Sequence, residues 1–294
     1  MPYISEKNIK IPKRKATSHK GDNGYVLAVG GSEEYAGAIA LASLAALRSG
    51  SDLVKAIAPE KVAWAINAYS ADVITSKLKT DYFKSPHFKI IEKEMEKFDV
   101  LLIGNGMGLK EQTKKFCKRT ISSIKKFKVI DADAIKSISM GDAENSIITP
   151  HSKELEYFLI NSKISGKTIA KIITEKNAQK KSKAMKEIMQ PFLDKNSIVI
   201  LKGKIDIILS KDKIFFVKGG NAGMTKGGTG DVLAGLCAGF LAQSKDMVQS
   251  AINASYFNKK IGDILLKKKK GFTYLASDMV EEIGKDYRLN SKIS

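Results

Sequence analysis

Residues 219–242, GGNAGMTKGGTGDVLAGLCAGFLA, crowd six glycines into a loop that runs straight into an apolar, Ala- and Leu-rich stretch with helical spacing. Such a loop leaves backbone N–H groups unpaired at the positive end of a helix dipole, which suits a phosphate or another developing anion. Asp231 stands at the junction and has two readings. As an N-cap it would be ordinary, because Asp is favoured there. Gly227, Gly228, Thr229 and Gly230, however, supply more backbone freedom than a cap needs, while close approach of backbone to a ligand does need it. The residues favour Asp231 as a general base beside an anion hole, taking a proton from a hydroxyl as a phosphoryl group is transferred to it.

The rest of the chain alternates strands with helices. Tyr25–Val29 is a short β-rich run ended by Gly30-Gly31-Ser32, and 36–49 is small and apolar on nearly every side, as expected of a helix packed closely on a sheet. Further strands are predicted at 53–58, near 73–75, at 98–103, from 128, at 147–149 and at 197–201, with a helix over 60–67 and another opened by Glu154. Residues 202–209 and 213–217 read as a hairpin leading into the glycine loop, and 162–190 as one exposed, lysine-rich helix. Helices follow around 251–266 and 277–283. With no linker or repeat, this order predicts a single α/β domain over 1–294 with a central, mainly parallel sheet, and 1–15 as a peripheral basic arm. Ligands in such folds sit at the carboxyl ends of strands.

Several turns fall at those ends. Gly104-Asn105-Gly106-Met107-Gly108 follows a strand but does not satisfy the Gly-x-Gly-x-x-Gly dinucleotide fingerprint, and no P-loop is present. Asp131 and Asp133 close another strand, where they could hold Mg²⁺ or a substrate hydroxyl, or cap the next helix. His151, one of three histidines, is a packed or surface residue or a ligand contact.

Composition narrows the classes. Fifty Lys and Arg against 31 Asp and Glu give a formal charge of +19, which raises nucleic acid as a partner. The excess is lysine spread along the whole chain without interleaved aromatics, so the reading is a solvated surface that also suits anionic nucleotides, with no nucleic-acid partner. Cys117 and Cys237 are too few and too isolated for a disulfide framework or a zinc site, and no metal-ligand set is assigned. The lack of a signal-like or membrane-length apolar run predicts a cytoplasmic protein with no membrane partner.

The run Asn221-Ala222-Gly223-Met224-Thr225-Lys226-Gly227-Gly228-Thr229-Gly230-Asp231-Val232-Leu233-Ala234-Gly235 closely resembles the signature of the ADP-dependent NAD(P)H-hydrate dehydratases, members of the ribokinase-like superfamily. Other blocks resemble the family in the family's order: His19-Lys20-Gly21-Asp22, Tyr35-Ala36-Gly37-Ala38, the 104–108 glycine turn, Asp131-Ala132-Asp133-Ala134, Thr149-Pro150-His151, Leu201-Lys202-Gly203 and Ala276-Ser277-Asp278. The resemblance implies a ribokinase-like three-layer αβα sandwich. It also implies a reaction, the ADP-driven dehydration of hydrated NADH or NADPH (NADHX, NADPHX), leaving AMP and phosphate. A small-molecule kinase of the same superfamily, using ATP, is the alternative.

By matched position, Asp231 is the implied catalytic base, with the N–H groups around Gly228 and Gly230 as the anion hole. Ala38, Gly106, His151 and Asp231 would contact the hydrate. Lys202, Gly203, Lys204, Ile205, Asp206, Asn221, Gly227, Gly228, Thr229 and Gly230 would bind the nucleotide. The resemblance further implies Mg²⁺ as phosphate counter-ion, a homo-oligomer such as a tetramer, and a separate hydrate epimerase as pathway partner, since the matching blocks begin at His19. Departures include Asn105 and Ala222 where proline is common, Ser152-Lys153 for Pro-Gly, and Asn258-Lys259 in a segment that more typically contains histidine. They are expected to loosen turns rather than delete the base or the anion hole.

Overall fold

The computed structural model describes residues 3–286. Nine strands form one sheet in the order β3-β2-β1-β4-β5-β6-β7-β8-β9. The chain runs β1 (Tyr25–Val29), α1 (Ala36–Arg48), β2 (Leu53–Pro59), α2 (Glu60–Tyr69), β3 (Ile74–Leu78), α3 (Phe88–Met95), β4 (Val100–Ile103), α4 (Glu111–Ser123) and β5 (Phe127–Ile130). It continues through α5 (Ala132–Ile135), β6 (Ser146–Ile148), α6 (Ser152–Asn161), α7 (Gly166–Thr174), α8 (Ala178–Leu193) and β7 (Ile198–Leu201). The last part is β8 (Asp206–Leu209), β9 (Ile214–Val217), α9 (Thr229–Ser244), α10 (Met247–Lys268) and α11 (Ala276–Asp286). Strands β3 through β7 pair in parallel; β7, β8 and β9 pair antiparallel, and β8 with β9 is the expected hairpin.

Alternation along the strands divides the core in two. Val26 and Ala28 of β1 face a layer containing α1, α2, α9, α10 and α11, whereas Leu27 and Val29 face α3, α4, α6, α7 and α8. Parallel strands covered on both faces must be apolar on both sides, and β4, VLLI, is buried throughout.

The exposed stretch 162–190 departs from a single helix. It breaks at 175–177, where Asn177 Oδ1 accepts from the N–H groups of Gln179 and Lys180 and so starts α8 afresh. Helices α3 and α4 were not anticipated. Their buried faces, Phe88, Ile91 and Met95 in one and Phe116, Cys117 and Ile121 in the other, are interrupted by lysines that dilute the apolar pattern. Among the expected arm residues, Ile4 donates its N–H to Phe216 O at 2.8 Å, docking the segment on the edge strand β9. Among the described residues no helix is long and apolar enough to cross a membrane.

What sets the position of α9 is its crossing with α1. A Cβ on Gly235 would lie 2.2 Å from Ala42 O, and one on Gly239 would lie 1.8 Å from Ser49 Oγ and 2.5 Å from Ala46 O. The two helices therefore approach almost backbone to backbone, and Ala42, Ala45 and Ala46 keep α1 thin enough to allow it. Gly239→Ala should lower stability by about 2 kcal/mol, overpacking outweighing the gain in helix propensity. Gly166→Ala, whose Cβ meets nothing within 4 Å, should leave stability unchanged or raise it by about 0.5 kcal/mol. Urea unfolding of the two variants checks both.

Candidate active site

The glycine loop meets α9 at Gly228, the N-cap, which has φ +93°. A Cβ there would also sit 2.7 Å from Ala276 Cβ and 2.8 Å from Leu41 Cδ1, so both conformation and space require glycine. Thr229 Oγ1 folds back to donate to Met224 O (2.7 Å) and Lys226 O (3.1 Å). Asp231 lies in the first helical turn, not at the cap, and its carboxylate is not spent on capping. The capping alternative is thereby removed.

That carboxylate is one end of a network that draws on residues from four strand ends. Asn105, after β4, donates from Nδ2 to Asp231 Oδ1 (2.7 Å) and to Asp131 Oδ2 (3.0 Å). Asp131, after β5, accepts on Oδ1 from Thr149 Oγ1 (2.6 Å), which follows β6, and from Lys202 Nζ (3.1 Å), which follows β7. Lys202 also pairs with Glu154 of α6 at 3.4 Å, and Glu154 in turn holds His151 through Nε2 (3.2 Å) and the backbone N–H (2.9 Å). His151 is the N-cap of α6, its Nδ1 accepting from the N–H groups of Lys153 and Glu154.

These contacts sort the protonation states. Burial and the neighbouring Asp131 charge push Asp231 up to about 7, against the Asn105 hydrogen bond and the more distant Lys202 charge. Burial works the same way on Glu154, but the His151 hydrogen bond and the Lys202 charge overcome it and hold its carboxyl well below the usual range. For Lys202, burial opposes the charged form, and Asp131 and Glu154 more than offset it, so it stays an ammonium. One carboxylate of the cluster is thus left basic near neutrality, a pattern that marks candidate acid–base groups.

A cavity of about 630 Å³ opens beside this cluster. Of the sequence-predicted residues, His151, Lys202, Gly203, Lys204, Asp206, Asn221, Thr229 and Gly230 line it. Ile205, Gly227, Gly228 and Asp231 do not, and neither do Ala38 and Gly106. Those last two lie together: a Cβ on Gly106 would lie 3.1 Å from Ala38 Cβ. Asp231 follows Gly230, which lines the cavity, and is bonded to Asn105 of the 104–108 turn. Two predicted ligands turn their side chains to the protein. Asp206 is buried and accepts from Gly203 N (2.9 Å), Ser255 Oγ (2.7 Å) and Lys259 Nζ (3.2 Å). Asn221 accepts from Tyr274 Oη (2.7 Å) and Gly223 N (3.0 Å) and donates to Asp263 (3.2 Å). Both shape the cavity wall.

The sequence reading missed Glu154, Lys259 and Asn258 as cavity or cluster residues and took Asn105 only as a loosened turn. Lys259 Nζ ties Gly203 O (2.8 Å) to Gly219 O (3.3 Å), joining the two loops of the cavity, and Asn258 lines it with a buried Oδ1 that has no partner among the described residues. Their only sequence signal was polarity inside the otherwise apolar face of α10. As for a metal, Asp131 is engaged as above and Asp133 by Gly108 N (2.9 Å) and Lys136 (2.8 Å). Among the described residues no three acidic, His or Cys side chains converge to hold an ion, so a protein-built metal cage does not fit this site.

The profile of the NAD(P)H-hydrate dehydratase family matches residues 26–285. The chain belongs to that family. It is 37% identical over 276 residues, 93% of its own length and 50% of the relative's, to the bifunctional NAD(P)H-hydrate repair enzyme Nnr of Methanocaldococcus jannaschii. It is 31% identical over 279 residues to the ADP-dependent (S)-NAD(P)H-hydrate dehydratase of Nitrosopumilus maritimus, covering 93% of this chain and 91% of that one. The chain thus spans about half the length of the bifunctional relatives it matches. Among solved structures, a ribokinase-like superfamily protein of Enterococcus faecalis superposes with TM-score 0.80 at 25% identity, over 98% of this chain and 95% of that one. The ADP/ATP-dependent NAD(P)H-hydrate dehydratase of Bacillus subtilis, co-crystallized with ATP and Mg²⁺, superposes with TM-score 0.78 at 22% identity over 98% of both chains. The ribokinase-like fold follows.

In this NAD(P)H-hydrate dehydratase family member the basic Asp231 has a thermodynamic cost with a definite sign. Its folded pKa lies above its unfolded value, so the stability linked to it is fully present below about pH 4 and is lost as pH rises through about 7. Asp231→Asn, which can still accept from Asn105, should lose less stability than the parent protein between pH 5 and 8 and be at least as stable at pH 8. Urea titrations at the two pH values measure the difference.

Proposed function

We propose that this chain repairs hydrated NADH and NADPH, using ADP to dehydrate the (S) hydrate and releasing AMP and phosphate, as one ribokinase-like unit. The observation that carries the reading is Asp231: a carboxylate with its pKa raised to about 7, in the first turn of a helix that opens on a glycine loop, beside a nucleotide-sized cavity. Family membership supplies the reaction class, and a relative of nearly full-length match is named for ADP and the (S) hydrate.

In the proposed mechanism ADP takes the cavity, with Lys202, Lys204 and the loop from Asn221 to Gly230 around it. The hydrated nicotinamide lies across Asp231, against Ala38, Gly106 and His151. Asp231 removes the proton of the ring hydroxyl, and the oxygen attacks the β-phosphorus of ADP while the bond to AMP breaks. Backbone N–H groups from Gly227 to Gly230, at the positive end of α9, stabilise charge on the transferred group. Phosphate then leaves from the ring carbon and a proton from its neighbour, which restores the double bond of NAD(P)H. Asp206 and Asn221 hold the cavity walls through the contacts described above. Mg²⁺ belongs in this proposal only as a counter-ion carried by the nucleotide, and no step is routed through it. A cytoplasmic homo-oligomer, a tetramer by family habit, working with a separate epimerase completes the reading; relatives named bifunctional support a paired activity.

The deciding assay mixes the protein with hydrated NADH, Mg²⁺ and either ADP or ATP and follows the return of reduced-nicotinamide absorbance. Recovery with ADP and formation of AMP are expected; no recovery with either nucleotide would leave the kinase alternative. Asp231→Asn should lower turnover by roughly 10² to 10⁴ while the protein remains folded. Because a base works deprotonated, kcat/KM should fall about tenfold per pH unit below about 7.

A further inference from the structure

Asn105 is completely buried at the centre of the carboxylate cluster. Its Nδ2 supplies one hydrogen to Asp131 Oδ2 at 3.0 Å and the other to Asp231 Oδ1 at 2.7 Å. Its own Oδ1 is buried and accepts nothing from the described residues. A buried acceptor left empty is costly, and a simple rotation of the amide would exchange the two ends. The rotation is barred while both neighbours are charged, because Oδ1 would then face two acceptors.

Asp131 is what keeps the amide in place. Thr149 and Lys202 both donate to its Oδ1, which leaves Oδ2 to accept from Asn105. Asp131 therefore accepts on both oxygens, from Lys202 and Thr149 on one and from Asn105 on the other, and Asn105 donates its second hydrogen outward, so that the network ends at Asp231. At its end Asp231 Oδ1 is occupied, while Oδ2 accepts nothing from the described residues.

We propose that Asn105 is a positioning residue for the base: its side-chain amide, oriented by Asp131, fixes which oxygen of Asp231 meets the substrate hydroxyl and favours the charged form of that carboxylate. The other charges facing Asp231 are Asp131 after β5 and Glu154 on α6, which oppose its ionisation, and Lys202 after β7, which favours it. On its own helix, the Cys237 thiol stays neutral, its pKa pushed up by burial. Among these groups only Asn105 touches Asp231 directly. The kinetic consequence rests on the reading of Asp231 as the base; the geometric one does not.

The test therefore has two arms. In the first, carboxyl-¹³C-aspartate NMR follows the Asp231 titration in the parent protein and in Asn105→Leu, which keeps the size and removes the donor. The midpoint should rise by about one pH unit on losing the donor. In the second, the acidic limb of kcat/KM should move with it. Near pH 6 the variant should lose about tenfold more than near pH 9, with the loss in kcat and an unchanged KM for ADP. An unmoved midpoint, or an equal fractional loss at every pH, would overturn the proposal. If Asn105→Leu does not fold, the parent protein decides: its Asn105 side-chain ¹⁵N and ¹H resonances should follow the Asp231 midpoint, and resonances indifferent to it would refute the assignment. The NMR arm needs neither hydrate nor ADP, so a failure of the repair reaction leaves it standing and a failure of Asn105 leaves the repair reaction standing.

Discussion

One ammonium group makes this site possible. Lys202 Nζ lies 3.1 Å from Asp131 and 3.4 Å from Glu154, both almost fully buried, at the carboxyl edge of the sheet. Without it, burial and mutual repulsion would act unopposed on the buried carboxylates gathered here. With it, two are neutralised by a partner and the third is left with a neutral amide. The asymmetry matters more than the attraction, since an ion pair buried at this cost adds little stability of its own. Its effect is to make Asp231 different from Asp131 and Glu154, which is the condition for a base.

The cluster can form only if α9 starts directly above the ends of β4 through β7, and that depends on backbone contact elsewhere. Gly235 and Gly239 let α9 press against α1, and Gly228 lets the chain turn into α9 between Leu41 and Ala276. On the opposite side, Gly104 brings the 104–108 turn so near β5 that a Cβ would fall 1.9 Å from Asp131 O. Packing of this kind fixes side-chain geometry to fractions of an ångström, which hydrogen bonds alone, on mobile loops, would not.

What could be read from the sequence follows from range. The glycine loop, the apolar helix and the strand ends are local signals, carried by neighbours in the chain, and they place Asp231, Lys202, His151 and Asn105 at one edge of a parallel sheet. Partners that meet only in three dimensions were invisible. Asn105 looked like a turn residue because its two acceptors lie 26 and 126 residues away. Asp206 and Asn221 line the cavity, but nothing local shows that Ser255, Lys259, Asp263 and Tyr274 hold their side chains. The break at Asn177 was local yet still missed: a capping asparagine inside a lysine-rich stretch reads as one more polar residue until its side chain is seen competing for the backbone.

The large positive charge and the acidic cluster are then not in conflict, because they act at different distances. On the proposed function, a nucleoside diphosphate approaching in solution would meet the summed field of a +19 chain and, at the cavity, Lys202, Lys204 and Lys259. Salt screens the field of the chain over about 8 Å at physiological ionic strength, so it governs encounter. Inside, Lys202 is committed to Asp131 and Glu154, and Lys259 to Asp206 and three carbonyls, so neither is a free counter-charge. Attraction at the surface comes from many replaceable lysines, whereas the proposed proton transfer depends on one carboxylate whose neighbours are individually placed. Loss of a surface lysine should therefore be absorbed by the rest, and loss of a group in the Lys202–Asp131–Asn105–Asp231 chain should not.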